Sequence, residues 1–553
     1  MRLMLMRNDT WRELIAMFRI RTCLPVIAAL AASVVSAASA TPVPCERLVN
    51  LGLPNAKITL AQMVAAGAFT PPPSPMPPMG PPPSFKDIPA FCRAVLEATP
   101  TPDSDIKIEV WMPASGWNHK FRGQGNGGFA GVLDYPGLGY AVKRGYASAA
   151  TDTGHSGTPI DAAWALGHPQ KVTDFGYRGI HLMTLDAAAI ISAFYGESPE
   201  RAYFASCSDG GREALMEAQR FPEDYDGIIA GAPANFWTHL LTSAVWDLQT
   251  TTLDPTSYIP AAKIPAISKG VLAACDAQDG VTDGVLNEPR QCHFDPETIA
   301  CKGADSESCL TAPQVTALKA LYAGPHDSAG HQIFPGYPPG GEQGPGGWAL
   351  WITGPSPRNS LIAYFGLGYF SDMVYEKKDW DYKTFTVDAG LKAADEKTEA
   401  ALNANDPNLE AFRDRGGKLI LYHGWSDAAI SAINTIDYYD RIVGTMGQAA
   451  AGSFVRLFMV PGMQHCGGGP GANSFIEDGR GAPRDAEHNI YAALEQWVEK
   501  NVAPSTIIAT KYNDDNPAQG VKMTRPLCAY PQVAKYKGTG DTNEAASFVC
   551  AKP

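Results

Sequence analysis

The feature that most constrains this chain is an interruption in an otherwise regular pattern. Short β-rich runs at Ile106–Met112, Tyr146–Thr151, Ala202–Ala205 and Gly227–Ala230 accompany a helical spacing over Gly179–Tyr195. Strand patterns then resume only at Lys418–Tyr422 and Phe454–Val460, and a last helix is expected near Ala486–Lys500. Alternation of this kind predicts an α/β fold with a mostly parallel sheet flanked by helices. Between Pro233 and Lys418 lie about 185 residues, where a crossover needs a dozen or so. That length predicts an inserted domain, so the expected organisation is a core from 41–234 and 411–553 with an inserted lid at 235–410.

Composition narrows the function classes. The 553 residues are 45% hydrophobic and 18% charged, which excludes a disordered tail or a fibrous repeat. The net charge of −13, with no run rich in Lys and Arg, makes nucleic acid an unsuitable partner. Residues 1–40 read as an export signal: Arg19 and Arg21 precede an apolar run from Cys23 to Val35, and Ala38-Ser39-Ala40 offers a cleavage site. The run is about thirteen residues long, short of the twenty a membrane span needs, and no later segment comes near that length. A secreted or periplasmic protein is expected. Ten cysteines remain after Thr41, an even number suited to disulfides in an oxidising compartment. Nine prolines between Pro71 and Pro83 predict an extended surface loop.

The chemistry is concentrated in three places. Arg201–Glu213 reads as strand, tight turn and helix start with Ser208 at the turn, the logic of a nucleophile elbow. Small residues flank the serine at Ser206 and Gly210, although glycine is usual at the first. A serine nucleophile in this topology needs an acid and then a histidine after later strands. Asp427 follows the strand Lys418–Tyr422, and His465 follows Phe454–Val460. His155, His181 and His423 are rival bases. Cys207 precedes Ser208 and Cys466 follows His465, so a serine–histidine hydrogen bond would bring these two cysteines within disulfide range. The N–H of Asp209 and a donor from the glycine-rich Phe121–Gly131 loop, at Gly127 or Gly128, are the oxyanion candidates. A phosphate cradle is the competing account of that loop, but the Gly-Lys-Ser/Thr ending is missing.

Two further features fall in the insert. Asp276, Asp279 and Asp283 place three carboxylates within eight residues, a density of hard oxygen that suits calcium, although ordinary Asp-Gly turns would give the same pattern. The spacing is not that of an EF-hand. Aromatic residues cluster at Trp348, Trp351, Tyr364 and Phe365, which with Ile430 are candidates for a substrate pocket, the competing account being the insert's own core.

These motifs resemble the tannase and feruloyl esterase family, which also includes mono(2-hydroxyethyl) terephthalate hydrolase. The resemblance runs from about Cys45 to Cys550 and is most specific at Cys207-Ser208 with Gly210–Ala214, at His423–Asp427 and at Val460–Cys466. It implies an α/β-hydrolase core with a large lid, a Ser208–His465–Asp427 triad bridged by Cys207–Cys466, and small-molecule esters of aromatic acids as substrates. It also implies a structural lid calcium held by Asp276, Asp279 and Asp283 and the carbonyls of Val281 and Val285. The pairs Cys45–Cys92, Cys275–Cys292, Cys301–Cys309 and Cys528–Cys550 are implied in the same way. Arg358 is the only arginine between Trp351 and Arg413, so no clamp for a free terephthalate carboxylate is evident, and feruloyl or galloyl esters rank ahead of the half-ester. A non-catalytic phenolic-binding module is the alternative from another class, against which stands an intact set of triad residues.

Overall fold

Nine strands form the central sheet of the computed structural model, which describes residues 41–73, 84–476 and 481–553. The expected export signal at 1–40 and positions 74–83 of the proline run lie outside the described residues. The strands are β1 (Ala56–Val64), β2 (Phe91–Ala98), β3 (Ile106–Pro113), β4 (Lys120–Gln124), β5 (Ala147–Thr151), β6 (Arg201–Cys207), β7 (Gly227–Gly231), β8 (Lys418–Gly424) and β9 (Val455–Val460). Their spatial order is β1-β2-β3-β5-β4-β6-β7-β8-β9. Pairing is antiparallel from β1 to β5 and parallel from β5 through β4 to β9. The expected mixed α/β architecture of an α/β-hydrolase is present, with an antiparallel edge that hydrophobic alternation did not reveal. The reason lies in β1 and β2, whose Ala, Lys, Gln and Glu residues are poor strand formers held by cross-strand pairing.

Central parallel strands are buried on both faces and read as continuous apolar runs. Every residue of β7 is buried, and so is all of β8 after Lys418. Helices α1 (Gly179–Tyr195), α2 (Asp209–Arg220), α3 (Trp237–Thr252), α4 (Leu361–Gly368), α5 (Ala432–Met446) and α6 (Ile490–Lys500) are the ones that matter for the site. The last begins four residues later than its apolar pattern suggests, because the Asn489 side chain accepts the N–H groups of Tyr491 and Ala492 and caps the helix there. The glycine-rich Phe121–Gly131 stretch is a loop only from Gly125 onward, its start being β4. Beyond α6 come two hairpins that periodicity missed, β10 (Thr506–Tyr512) with β11 (Val521–Cys528) and β12 (Val533–Tyr536) with β13 (Phe548–Ala551).

No strand of the nine-stranded sheet comes from between Gly231 and Lys418. That stretch has a core of its own around Ile267, Val271, Leu318, Leu321 and Trp348. It also grips the sheet's loops: Ser426 Oγ donates to Gly340 O at 3.0 Å, and Gln464 exchanges hydrogen bonds with Gln343 O and Gly346 N at 2.9 and 3.0 Å. Five disulfides join Cys45–Cys92, Cys207–Cys466, Cys275–Cys292, Cys301–Cys309 and Cys528–Cys550. Among the described residues no helix is long and apolar enough to cross a membrane.

Candidate active site

Strand β6 ends at Cys207 and α2 begins at Asp209, leaving Ser208 alone at the turn with φ 68° and ψ −124°. Such a backbone is unfavourable for a residue with a side chain and persists only where its surroundings hold it. Here the Ser208 N–H donates to Gly231 O at 2.9 Å, while its carbonyl accepts from the N–H groups of Gly211, Arg212 and Ala234. A Cβ on Gly210 would lie 1.9 Å from Ser206 Oγ, and one on Gly125 would lie 2.7 Å from Ser206 Cβ. Two flanking glycines therefore make room for Ser206 where a third glycine is usual.

Below the turn, Arg212 donates to Asp209 Oδ1 at 2.6 Å and to the carbonyls of Gly176 and Phe175. Glu213 Oε2 accepts the Asn126 N–H at 2.8 Å, and Asn126 O accepts the Gly210 N–H at 2.9 Å, so the glycine-rich loop is tied to the first turn of α2. Burial, with the nearby Asp209 charge, pushes the Glu213 carboxyl well above its ordinary value. Sequence reasoning missed Asn126 and Glu213, since a buried acid in a helix carries no local signature.

Ser208, His465 and Asp427 form a continuous chain. His465 Nε2 lies 2.8 Å from Ser208 Oγ, and His465 Nδ1 lies 2.8 Å from Asp427 Oδ2. The Asp427 Oδ1 atom accepts the N–H groups of Ala429 and Ile430 at 2.7 and 3.0 Å. Burial opposes ionisation of Asp427, but the His465 charge and hydrogen bonds from His423 and His465 outweigh it and hold the carboxyl well below the usual range. His423, one of the rival bases, lies behind the acid, with Nε2 3.1 Å from Asp427 Oδ2 and Nδ1 2.7 Å from Thr435 Oγ1. The other two are elsewhere: His155 bonds Phe129 O and stacks on Trp164, and His181 bonds Asp224 and stacks on Phe221. The Cys207–Cys466 bridge spans a Cα separation of 5.9 Å between the neighbours of Ser208 and His465.

A cavity opens over Ser208 and His465. Of the expected pocket residues, Trp351, Phe365 and Ile430 line it, and the Trp351 ring meets the His465 imidazole edge to face at 5.0 Å. Trp348 and Tyr364 do not. Trp348 is 1% exposed and packs on Tyr322 and Tyr337 inside the insert, while Tyr364 is 42% exposed with its hydroxyl toward Asn359. Each belongs to a short helix, where one or three positions of rotation decide which side chain faces the cavity. The apolar wall is completed by Trp237, Leu240 and Leu241 from the first turns of α3 and Ile362 from α4, none of which the sequence singled out. Asp209 and Gly128 also border the cavity. Gly127 is outside its lining. At Gly128 φ is +59° and a Cβ would lie 2.2 Å from Pro159 O, so only glycine fits.

The acidic loop of the insert turns its carboxylates onto its own backbone. Asp276 accepts the Gly284 N–H, Asp279 the Val281 N–H and Asp283 the Val285 N–H. Arg525 of β11 pairs with Asp283 at 2.6 Å. Burial pushes the Asp279 carboxyl up to about 6, the charges of Asp283 and Asp276 adding to the effect. Among the described ion pairs Arg525 meets only Asp283 of the three, and carboxylate and carbonyl oxygens are the hard donors that calcium takes.

The tannase and feruloyl esterase family model matches residues 92–551. An uncharacterized esterase of Xanthomonas campestris is 39% identical, with 96% of this chain and 95% of that protein covered. The mono(2-hydroxyethyl) terephthalate hydrolase of Piscinibacter sakaiensis is 36% identical over 81% of this chain and 82% of its own length. The crystal structure of feruloyl esterase B from Aspergillus oryzae shares the fold with a TM-score of 0.83 at 27% identity, covering 92% of this chain and 99% of that one. With the sheet, the elbow and the matched length in agreement, the chain belongs to the tannase and feruloyl esterase family of carboxylic-ester hydrolases.

Proposed function

We propose that this protein is an exported serine esterase that cleaves esters of aromatic acids, of the feruloyl or galloyl type, through an acyl-enzyme. The hydrogen-bonded run from Ser208 through His465 to Asp427 at the floor of an aromatic cavity carries this reading. Ser208 Oγ attacks the ester carbonyl while His465 Nε2 takes its proton and returns it to the leaving alcohol. Asp427 fixes the imidazole with Nδ1 protonated. The Asp209 N–H opens α2 and so lacks an intrahelical acceptor; with the N–H of Gly128 or Gly127 it receives the oxyanion. Water then repeats the sequence on the acyl-enzyme. Ser208→Ala should lower turnover of methyl ferulate and methyl gallate by roughly 10⁴-fold or more with the melting curve unchanged. Activity near that of the parent would sink the assignment.

The insert at 235–410 serves as the lid, walling the cavity with α3 and α4. Asp276, Asp279 and Asp283, with the carbonyls of Val281 and Val285, would hold a structural calcium in it, which supplies charge neutralisation to the loop and no step of the ester chemistry. Five disulfides favour a secreted or periplasmic location. The second reading, a mono(2-hydroxyethyl) terephthalate hydrolase activity, is favoured by the identity to that enzyme. Against it stands the cavity lining, which includes no lysine or arginine to meet a carboxylate.

A further inference from the structure

Away from the ester site, three side chains converge where α1, α2 and the turn before β7 meet. His181 lies in the first turn of α1, Glu217 lies in the second half of α2, and Asp224 follows that helix. One donor atom from each lies within 4.8 Å of the other two, and His181 Nδ1 is 2.7 Å from Asp224 Oδ2. Glu217 is 1% exposed, and neither of its carboxylate oxygens has a hydrogen-bond partner among the described residues. A buried carboxylate without a partner is costly, and an orphan of this kind is met by an ion or an ordered water. The arginines of α2 are engaged elsewhere: Arg212 bonds Asp209 and the carbonyls of Gly176 and Phe175, and Arg220 bonds Ala400 O. Burial, and then the Asp224 charge, push the Glu217 carboxyl well above its ordinary value, as two adjacent acids without a cation do.

We propose that His181, Glu217 and Asp224 bind a divalent first-row transition ion, zinc being the fitting case, which clamps α1 to α2. One imidazole and two carboxylates suit such an ion better than calcium, which takes oxygen ligands, and the two negative charges balance it. Bonds of about 2.1 Å put two ligand atoms at most about 4.2 Å apart, so side-chain shifts of about half an ångström close the cluster. On binding, the imidazole carries its proton on Nε2 and offers Nδ1 in place of the hydrogen bond to Asp224, and any proton on Glu217 leaves to solvent. The His181 side chain is 25% exposed, which gives the ion an entry and leaves room for water to complete its coordination. Glu217 stands about 12 Å along α2 from Asp209, so the ion supports the helix behind the nucleophile and takes no part in ester cleavage.

Equilibrium dialysis of the full chain against cobalt(II), with excess calcium present to supply the lid loop, tests the site. The parent should take up one equivalent with visible absorption from the coordinated ion, and zinc should displace it. His181→Gln and Glu217→Gln should each weaken that binding by at least ~10-fold. Zinc should also raise the melting temperature of the parent by ~2–4 °C and that of neither variant, while the initial rate on a small ester stays within ~2-fold. No uptake by the parent, or uptake unchanged in either variant, would overturn the proposal, the first leaving Glu217 as a protonated acid or a partner of buried water. Should Glu217→Gln fail to fold, His181→Gln decides by itself, since its side chain reaches the surface.

Discussion

Ser206 illustrates how a departure from a motif is absorbed by its neighbours. Its side chain occupies the volume that Gly125 and Gly210 leave vacant, at 2.7 and 1.9 Å from where their Cβ atoms would stand. Gly210→Ala should therefore destabilise the protein by about 1–3 kcal/mol, as overpacking in a tight interior does, and should displace the Ser208 turn. Ser206→Gly in the same chain should restore part of the loss, since the closest clash is then gone while the contact to Asn126 O at 2.7 Å remains. Urea midpoints for the single and double variants test this, and no recovery in the double variant would refute the compensation. The serine, the histidine and the acid were legible because strand-end loops and chain order identify them. Asn126 and Glu213, which tie the glycine-rich loop to α2, were not, because their roles exist only once two distant segments meet.

Helix α3 shows why an element with an evident pattern can still conceal its function. Its buried face lines the cavity with Trp237, Leu240 and Leu241 and, two turns beyond Leu240, carries Asp247, whose carboxylate is 3.2 Å from the Tyr337 hydroxyl. Burial pushes Asp247 up to about 8, the Tyr337 hydrogen bond only partly opposing it. A carboxyl raised in the folded state contributes stability that is fully present below its unfolded value near 4 and lost as pH rises toward 8. Asp247→Asn, neutral throughout, should match the parent near pH 4 and become more stable than it by a few kcal/mol at pH 8. Thermal melts across that range measure the difference, and a gap independent of pH would refute it. The same helical geometry explains the pocket: Trp351 and Phe365 face the cavity while Trp348 and Tyr364, one or three positions away, do not.

Across the molecule, the insert and the C-terminal hairpins meet at the acidic loop, where Asp283 pairs with Arg525 and Asn287 Nδ2 donates to Ala534 O. If calcium neutralises that loop, chelation should lower the melting temperature while the initial rate on a small ester at 25 °C stays within ~2-fold. An unchanged melting curve together with metal analysis showing no calcium would remove the site. The sequence by itself determined the α/β class, the inserted segment, the order of Ser208, Asp427 and His465, and the cysteine beside each of the first and last. Those are properties of local pattern and spacing, which a chain carries before it folds. Tertiary structure alone decided the antiparallel edge, the C-terminal hairpins and the identity of the pocket wall. Weak strand formers become strands only when a partner strand takes their hydrogen bonds. The apolar residues of α3 and α4 become a cavity wall only when the two helices close over Ser208 and His465.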